Sequence, residues 1–95
     1  MAVLEVETFT LVQGCDPISF RALDEAMQEW CYLNRPGLAR RTTARADDNS
    51  YVVITLFETS EQSQSKYYTA TDPVVVAWSA AITESSRKTT VYSLL

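Results

Sequence analysis

Apolar positions are densest in the run Tyr51-Val52-Val53-Ile54-Thr55-Leu56-Phe57. Strand side chains alternate between the two faces of a sheet, so a strand apolar at both parities needs cover on both sides. The other segments read as that cover. Val3 to Val12, rich in β-branched and aromatic residues, predicts a first strand. Leu4, Val6, Thr8, Thr10 and Val12 fall on one of its faces, and Glu5, Glu7, Phe9 and Leu11 on the other. Gln13-Gly14-Cys15 breaks it. Asp16-Pro17 then opens a helix, because Asp offers an acceptor to free amides and proline's fixed φ suits the first helical position. Phe20, Leu23, Met27, Trp30 and Cys31 follow at helical spacing, with Arg21, Asp24, Glu25 and Gln28 elsewhere around the wheel. This predicts an amphipathic helix of about five turns. Pro36 and Gly37 end it near Asn34.

Leu38 to Ala46 predicts a second strand, poorer in apolar residues, whose arginines suit a sheet edge where charge discourages further pairing. Asp47-Asp48-Asn49-Ser50 supplies the turn into the apolar run. Thr59 or Ser60, with Gln62 behind, reads as a capping box for a second helix, and Asp72-Pro73 as a fresh start for a helix to Ile82 packing through Val74, Val75, Trp78 and Ile82. Arg87 to Leu95 closes a fourth strand. The order β-α-β-β-α-β with one tight turn is the split pattern of the ferredoxin-like α+β fold, with strands one and three central and both helices on one face of an antiparallel sheet. That leaves one face of the apolar run uncovered. Burying a Val or Phe side chain contributes about 1.5–3 kcal/mol, so a homodimer joined sheet to sheet is expected.

The chain's 95 residues predict a single domain, 1–95, too small to bury a large core alone. Its net charge of −4 argues against nucleic acid or an anionic membrane as partner. No apolar run approaches a membrane span, and the start Met1-Ala2-Val3-Leu4-Glu5 lacks a signal peptide's basic beginning and long apolar stretch, so a cytoplasmic protein is expected. Cys15 and Cys31 would sit roughly 24 Å apart at the two ends of the first helix at ~1.5 Å per residue, too far to bridge. With no histidine, the usual haem ligand, the commonest zinc ligand and the ordinary near-neutral base are missing. No metal and no cofactor is expected.

The stretch Arg35-Pro36-Gly37-Leu38-Ala39-Arg40-Arg41-Thr42-Thr43-Ala44-Arg45, an acidic turn, Tyr51 to Glu58 and the Thr-Ser-Glu helix start resemble the antibiotic-biosynthesis-monooxygenase-like branch of the dimeric α/β-barrel superfamily. The resemblance covers essentially the whole chain. It implies a dimer whose sheets form a shared barrel and a pocket between each sheet and its helices. Activities in that branch include cofactor-free oxygenation of polyketide aromatics, quinol oxidation, haem degradation and lactone isomerisation. Haem degradation there relies on a histidine ligand, which this chain cannot supply.

Trp30 and Trp78 are the leading pocket candidates, since both should point from helices toward the sheet and an aromatic-walled, dry cavity suits a planar phenol. Filling the core explains them as well. Met27 and Phe57 join them as lining candidates. Tyr67 and Tyr68, on the broken second helix over the pocket mouth, and Tyr32 are candidate hydrogen-bond donors, with surface tyrosine as the plainer reading. Glu5 and Glu7 need partners if buried, and the strand-two arginines are the expected supply; a carboxylate with raised pKa would otherwise stand in for the missing histidine. Arg40, Arg41 and Arg45 are also candidates for a substrate carboxylate. Cys31 fits a small core position. The expected function is binding of an apolar or aromatic small molecule, with cofactor-independent monooxygenation as the reaction if the protein is an enzyme. The alternatives are a non-catalytic ligand-binding or assembly module and, more weakly, a lactone-type isomerase. A ring-sized void beside Trp30 and Trp78 is the condition for the oxygenase.

Overall fold

A computed structural model describes residues 1–63 and 71–95. Its elements are β1 (Val3–Phe9), α1 (Pro17–Asn34), β2 (Leu38–Arg45), β3 (Tyr51–Phe57), α2 (Ser60–Ser63), α3 (Pro73–Ala80), a 3-10 turn (Glu84–Ser86) and β4 (Lys88–Ser93). The strands form one sheet in the order β2-β3-β1-β4, every pair antiparallel. This is the expected ferredoxin-like α+β topology, with β1 and β3 central.

The local signals act as the sequence predicts. Asp16 Oδ1 accepts from the Ser19 amide at 2.7 Å, capping α1. At the other end Arg35 leaves helical geometry and Gly37 takes φ 77°, turning the chain straight into β2. A Cβ at Gly37 would run into the Gln62 side chain, which bends back to accept from the Thr59 amide at 3.1 Å. The helix exit and the capping box after β3 therefore share one packed corner. Asn49 adopts φ 65° in the β2–β3 turn, where the Asp48 carboxylate holds the Ser50 amide and hydroxyl. β1 stops at Phe9, short of the expected Val12, and its extension is a single bridge from Leu11 to Ile82. α3 likewise ends at Ala80, because Ile82 has moved into that bridge.

Both long helices lie on one face of the sheet. The core there is aromatic at the Phe9 end of β1: Phe9 meets Trp78 edge-on at 5.6 Å and stacks on Tyr51 at 5.8 Å, and Phe20 meets Tyr51 edge-on at 5.0 Å. Met27, Val53, Val75 and Ile82 fill around them. The other face carries Leu4, Val6, Val52, Ile54 and Leu56, all part-exposed, with Ile54 at 38%. Among the described residues no helix is long and apolar enough to cross a membrane.

Candidate functional site

Halfway along the helix-covered face the core turns ionic. Glu5 and Glu7 share a parity with Phe9, so the alternation that seats Phe9 among the aromatics also drives both carboxylates under the helices, where they are 7% and 4% exposed. Buried charges persist only when paired, and each has found an arginine. Arg35, at the exit of α1, reaches Glu5 through both guanidinium nitrogens at 3.4 Å. Arg87, just before β4, grips Glu7 Oε2 through Nε at 2.9 Å and Nη2 at 2.8 Å. This corrects the expectation that strand two would supply the partners. The register explains why: Glu5 lies opposite Thr55 and Val91, so β2 is a full strand away across β3.

The strand-two arginines divide by parity. Arg41 is buried on the helix side and binds Asp24 of α1 at 2.8 Å and Gln28 at 3.4 Å, while Arg40 and Arg45 are exposed. Edge protection therefore does not account for Arg41. Asp24 Oδ1 also accepts from the indole Nε1 of Trp78 at 3.0 Å, and the Trp78 ring has the Arg41 and Arg87 guanidinium carbons 5.7 and 5.6 Å from its centre. Arg35 sits 4.6 Å over the Phe57 ring. Three carboxylates (Glu5, Glu7, Asp24) thus balance three guanidiniums (Arg35, Arg41, Arg87) inside the helix–sheet layer.

The sequence candidates fall into different places. Trp78 and Met27, each 1% exposed, do border a cavity with Cys31, Thr55 and the ion pairs, but it measures about 10 Å³, room for about one water. The ring-sized void beside Trp30 and Trp78 expected for the oxygenase is therefore not found there, and any ligand must sit elsewhere. Trp30 is half-buried against the core and borders no described cavity, and Phe57 is fully buried beneath Arg35. Tyr67 and Tyr68 lie outside the described residues. Tyr32 is exposed, and its hydroxyl accepts from the Arg41 amide at 2.9 Å. Burial raises the Cys31 thiol above its ordinary pKa, with the nearby Arg41 and Arg35 pulling the other way. A buried thiol held protonated suits a core filler, as its helix position predicts.

Space of ligand size lies elsewhere. A groove of about 500 Å³ runs between α1 and the β2–β3 hairpin, with the buried Phe20 and Tyr51 as floor, Asp24 and Thr43 along its walls, and Ile18, Arg21, Glu25 and Arg45 at its rim. That volume falls in the range of small-molecule sites. The sequence reading missed it because the groove joins the polar side of α1 to the inner parity of β2, two stretches that look solvent-facing when each is read alone. The signal was present in Arg41, Thr43 and Arg45, which alternate opposite Thr55, Val53 and Tyr51 on the helix-covered face. Among the described residues no cluster of three His, Cys, Asp or Glu side chains is placed to hold a metal ion.

No family model matches the sequence, and no curated protein matches it significantly. Solved structures do match its fold along nearly the whole chain. SnoaB, a cofactor-independent oxygenase from Streptomyces nogalater, superimposes with a TM-score of 0.73 at 22% identity, over 99% of this chain and 93% of that one. A protein of Bordetella bronchiseptica with the provisional name antibiotic biosynthesis monooxygenase gives 0.77 at 12% identity, over 99% and 97%. A dimeric protein of unknown function and ferredoxin-like fold from Bacteroides fragilis gives 0.65 at 12% identity, over 98% and 96%. The chain thus shares the fold of antibiotic biosynthesis monooxygenase-like proteins.

Proposed function

We propose, from a fold shared with a cofactor-independent oxygenase, that this chain forms a homodimer and binds a planar, largely apolar aromatic molecule in the groove between α1 and the β2–β3 hairpin, oxygenating an activated phenol there without a cofactor. The observation that carries the reading is the groove itself: about 500 Å³ floored by the Phe20 and Tyr51 rings. Aromatic floors favour flat, largely apolar ligands.

In the proposed reaction a phenol ring C–H becomes a carbonyl. One atom of O2 is retained on that carbon, and the other leaves as water with the ring hydrogen and the phenolic hydrogen. The protein's part is orientation and removal of the phenolic proton. Asp24 is the group assigned to the proton: it lines the groove, and its Oδ1 is fixed by Arg41 and Trp78, which orients the whole carboxylate. Glu5 and Glu7 are left out of the chemistry because their arginines hold them beside a cavity of about 10 Å³.

The dimer reading rests on the open sheet face. Leu4, Val6, Val52, Ile54 and Leu56 form a contiguous part-exposed apolar patch across the two central strands, and a similar structure is described as dimeric.

The function is tested with 1,8-dihydroxyanthrone and 1-naphthol as probes, followed by NMR shift mapping and by an oxygen electrode. The oxygenase reading predicts shifts centred on Phe20 and Tyr51, oxygen uptake above the spontaneous rate, and one quinone formed per O2 consumed. Saturable binding at the same residues with no uptake above background would replace it with the non-catalytic binding module, which the filled surroundings of Trp78 favour. Absence of binding would overturn both.

A further inference from the structure

We infer that the groove selects aromatic acids: its ligand carries a carboxylate, taken by Arg45, on the far side of the ring from a polar group that meets Thr43. This rests on the proposed ligand groove and names the class of molecule it would hold.

Four charged residues line the groove: Arg21, Asp24, Glu25 and Arg45. Arg21 pairs with Glu25 at 3.3 Å. Asp24 is held by Arg41 and Trp78. Arg45 makes no ion pair or hydrogen bond among the described residues, so it is the one lining charge without a counter-ion. Its place on β2 is opposite Tyr51 in the β2–β3 register, and both residues line the same groove. A guanidinium is a planar fork matched to a carboxylate, and the two carboxylates lining the groove, Asp24 and Glu25, are paired with Arg41 and Arg21 instead.

Two residues earlier on the same face, the Thr43 hydroxyl is buried and has no hydrogen-bond partner. A buried polar group without a partner is costly, and a ligand that supplies one relieves the cost. Alternate residues of a strand are roughly 7 Å apart, about the span of a one- or two-ring aromatic with a substituent at each end. The Phe20 and Tyr51 rings lie beneath that span as an apolar floor. The arrangement therefore fits a flat ring with a carboxylate at Arg45 and a hydroxyl or carbonyl oxygen at Thr43.

The test compares 6-hydroxy-2-naphthoate with 2-naphthol by calorimetry and NMR shift mapping, on wild type, Arg45→Gln and Arg40→Gln. Arg40 projects from the opposite face of β2 and serves as the control for lost charge. Wild type is expected to bind the acid about tenfold more tightly than the naphthol, as suits one partly exposed charge-assisted contact. Arg45→Gln is expected to weaken binding of the acid about tenfold and so remove that preference, and Arg40→Gln to keep it. Equal wild-type affinity for the two probes, or a preference that survives Arg45→Gln, would overturn the inference while the groove reading stands, provided 2-naphthol still shifts Phe20 and Tyr51. If neither probe binds, the groove reading and this inference fall together.

Discussion

Along the middle of β1 the two faces of the sheet reverse the usual arrangement of polar and apolar side chains. Beneath the helices β1 hides Glu5 and Glu7, while on the open face the same strand shows Leu4 and Val6 to solvent beside Val52, Ile54 and Leu56 of β3. The covered face can hold charge because arginines from outside the central strands, Arg35 and Arg87, arrive to neutralise it. Among the described residues the open face has no such supplement. Polarity alone therefore does not say which side of a strand is interior. What decides is where the helices and their arginines land, and an apolar face left over calls for a cover of its own.

Disturbing the covered face should cost most. Trp78→Ala removes an indole packed against Phe9 and Phe20 and leaves Asp24 and two guanidiniums facing a void, so a loss of about 3–5 kcal/mol is expected in urea denaturation. Glu7→Ala leaves the Arg87 charge buried without its main carboxylate and should cost about 3 kcal/mol. Removing both charges in Glu7→Ala/Arg87→Met should recover part of that loss; a double variant weaker than either single one would show that the pair is not the source of the cost.

A smaller effect is expected from acid. Hydrogen bonds from Ser19 hold Asp16 below its ordinary 3.8, and those from Ser50 do the same for Asp48. A carboxylate with a lower pKa folded than unfolded stabilises the fold above the unfolded value and loses that contribution as pH falls through the folded one. Melting temperature should therefore drop as pH falls below about 4, and Asp16→Asn with Asp48→Asn should flatten that part of the profile.

Much of the fold was legible because its punctuation is local. Asp16-Pro17, Pro36-Gly37, the Asp48–Ser50 turn and Asp72-Pro73 each act within a few residues, and the structure uses all four. The ionic layer was not legible, because its pairs join residues 30 and 80 positions apart. Periodicity showed that Glu5, Glu7 and Phe9 share a face but could not say what would meet them. Trp78 was picked out for its size and its place on a helix. Its neighbours show why size alone does not make a pocket wall: Asp24, Arg41 and Arg87 fill the space around it. The groove escaped notice for the opposite reason, since Thr43 and Arg45 look like edge-strand surface until Tyr51 is set beside them.

The claim on which the account leans most is that the apolar open face is where two copies meet. Sedimentation equilibrium of the purified protein at micromolar concentration measures it directly, alongside Ile54→Lys, a change at a part-exposed position in the middle of that face. The account predicts twice the 10.7 kDa chain mass for wild type and a single chain mass for Ile54→Lys, with far-ultraviolet circular dichroism unchanged. A wild-type protein that sediments as a folded monomer, or a dimer indifferent to lysine at position 54, would contradict it.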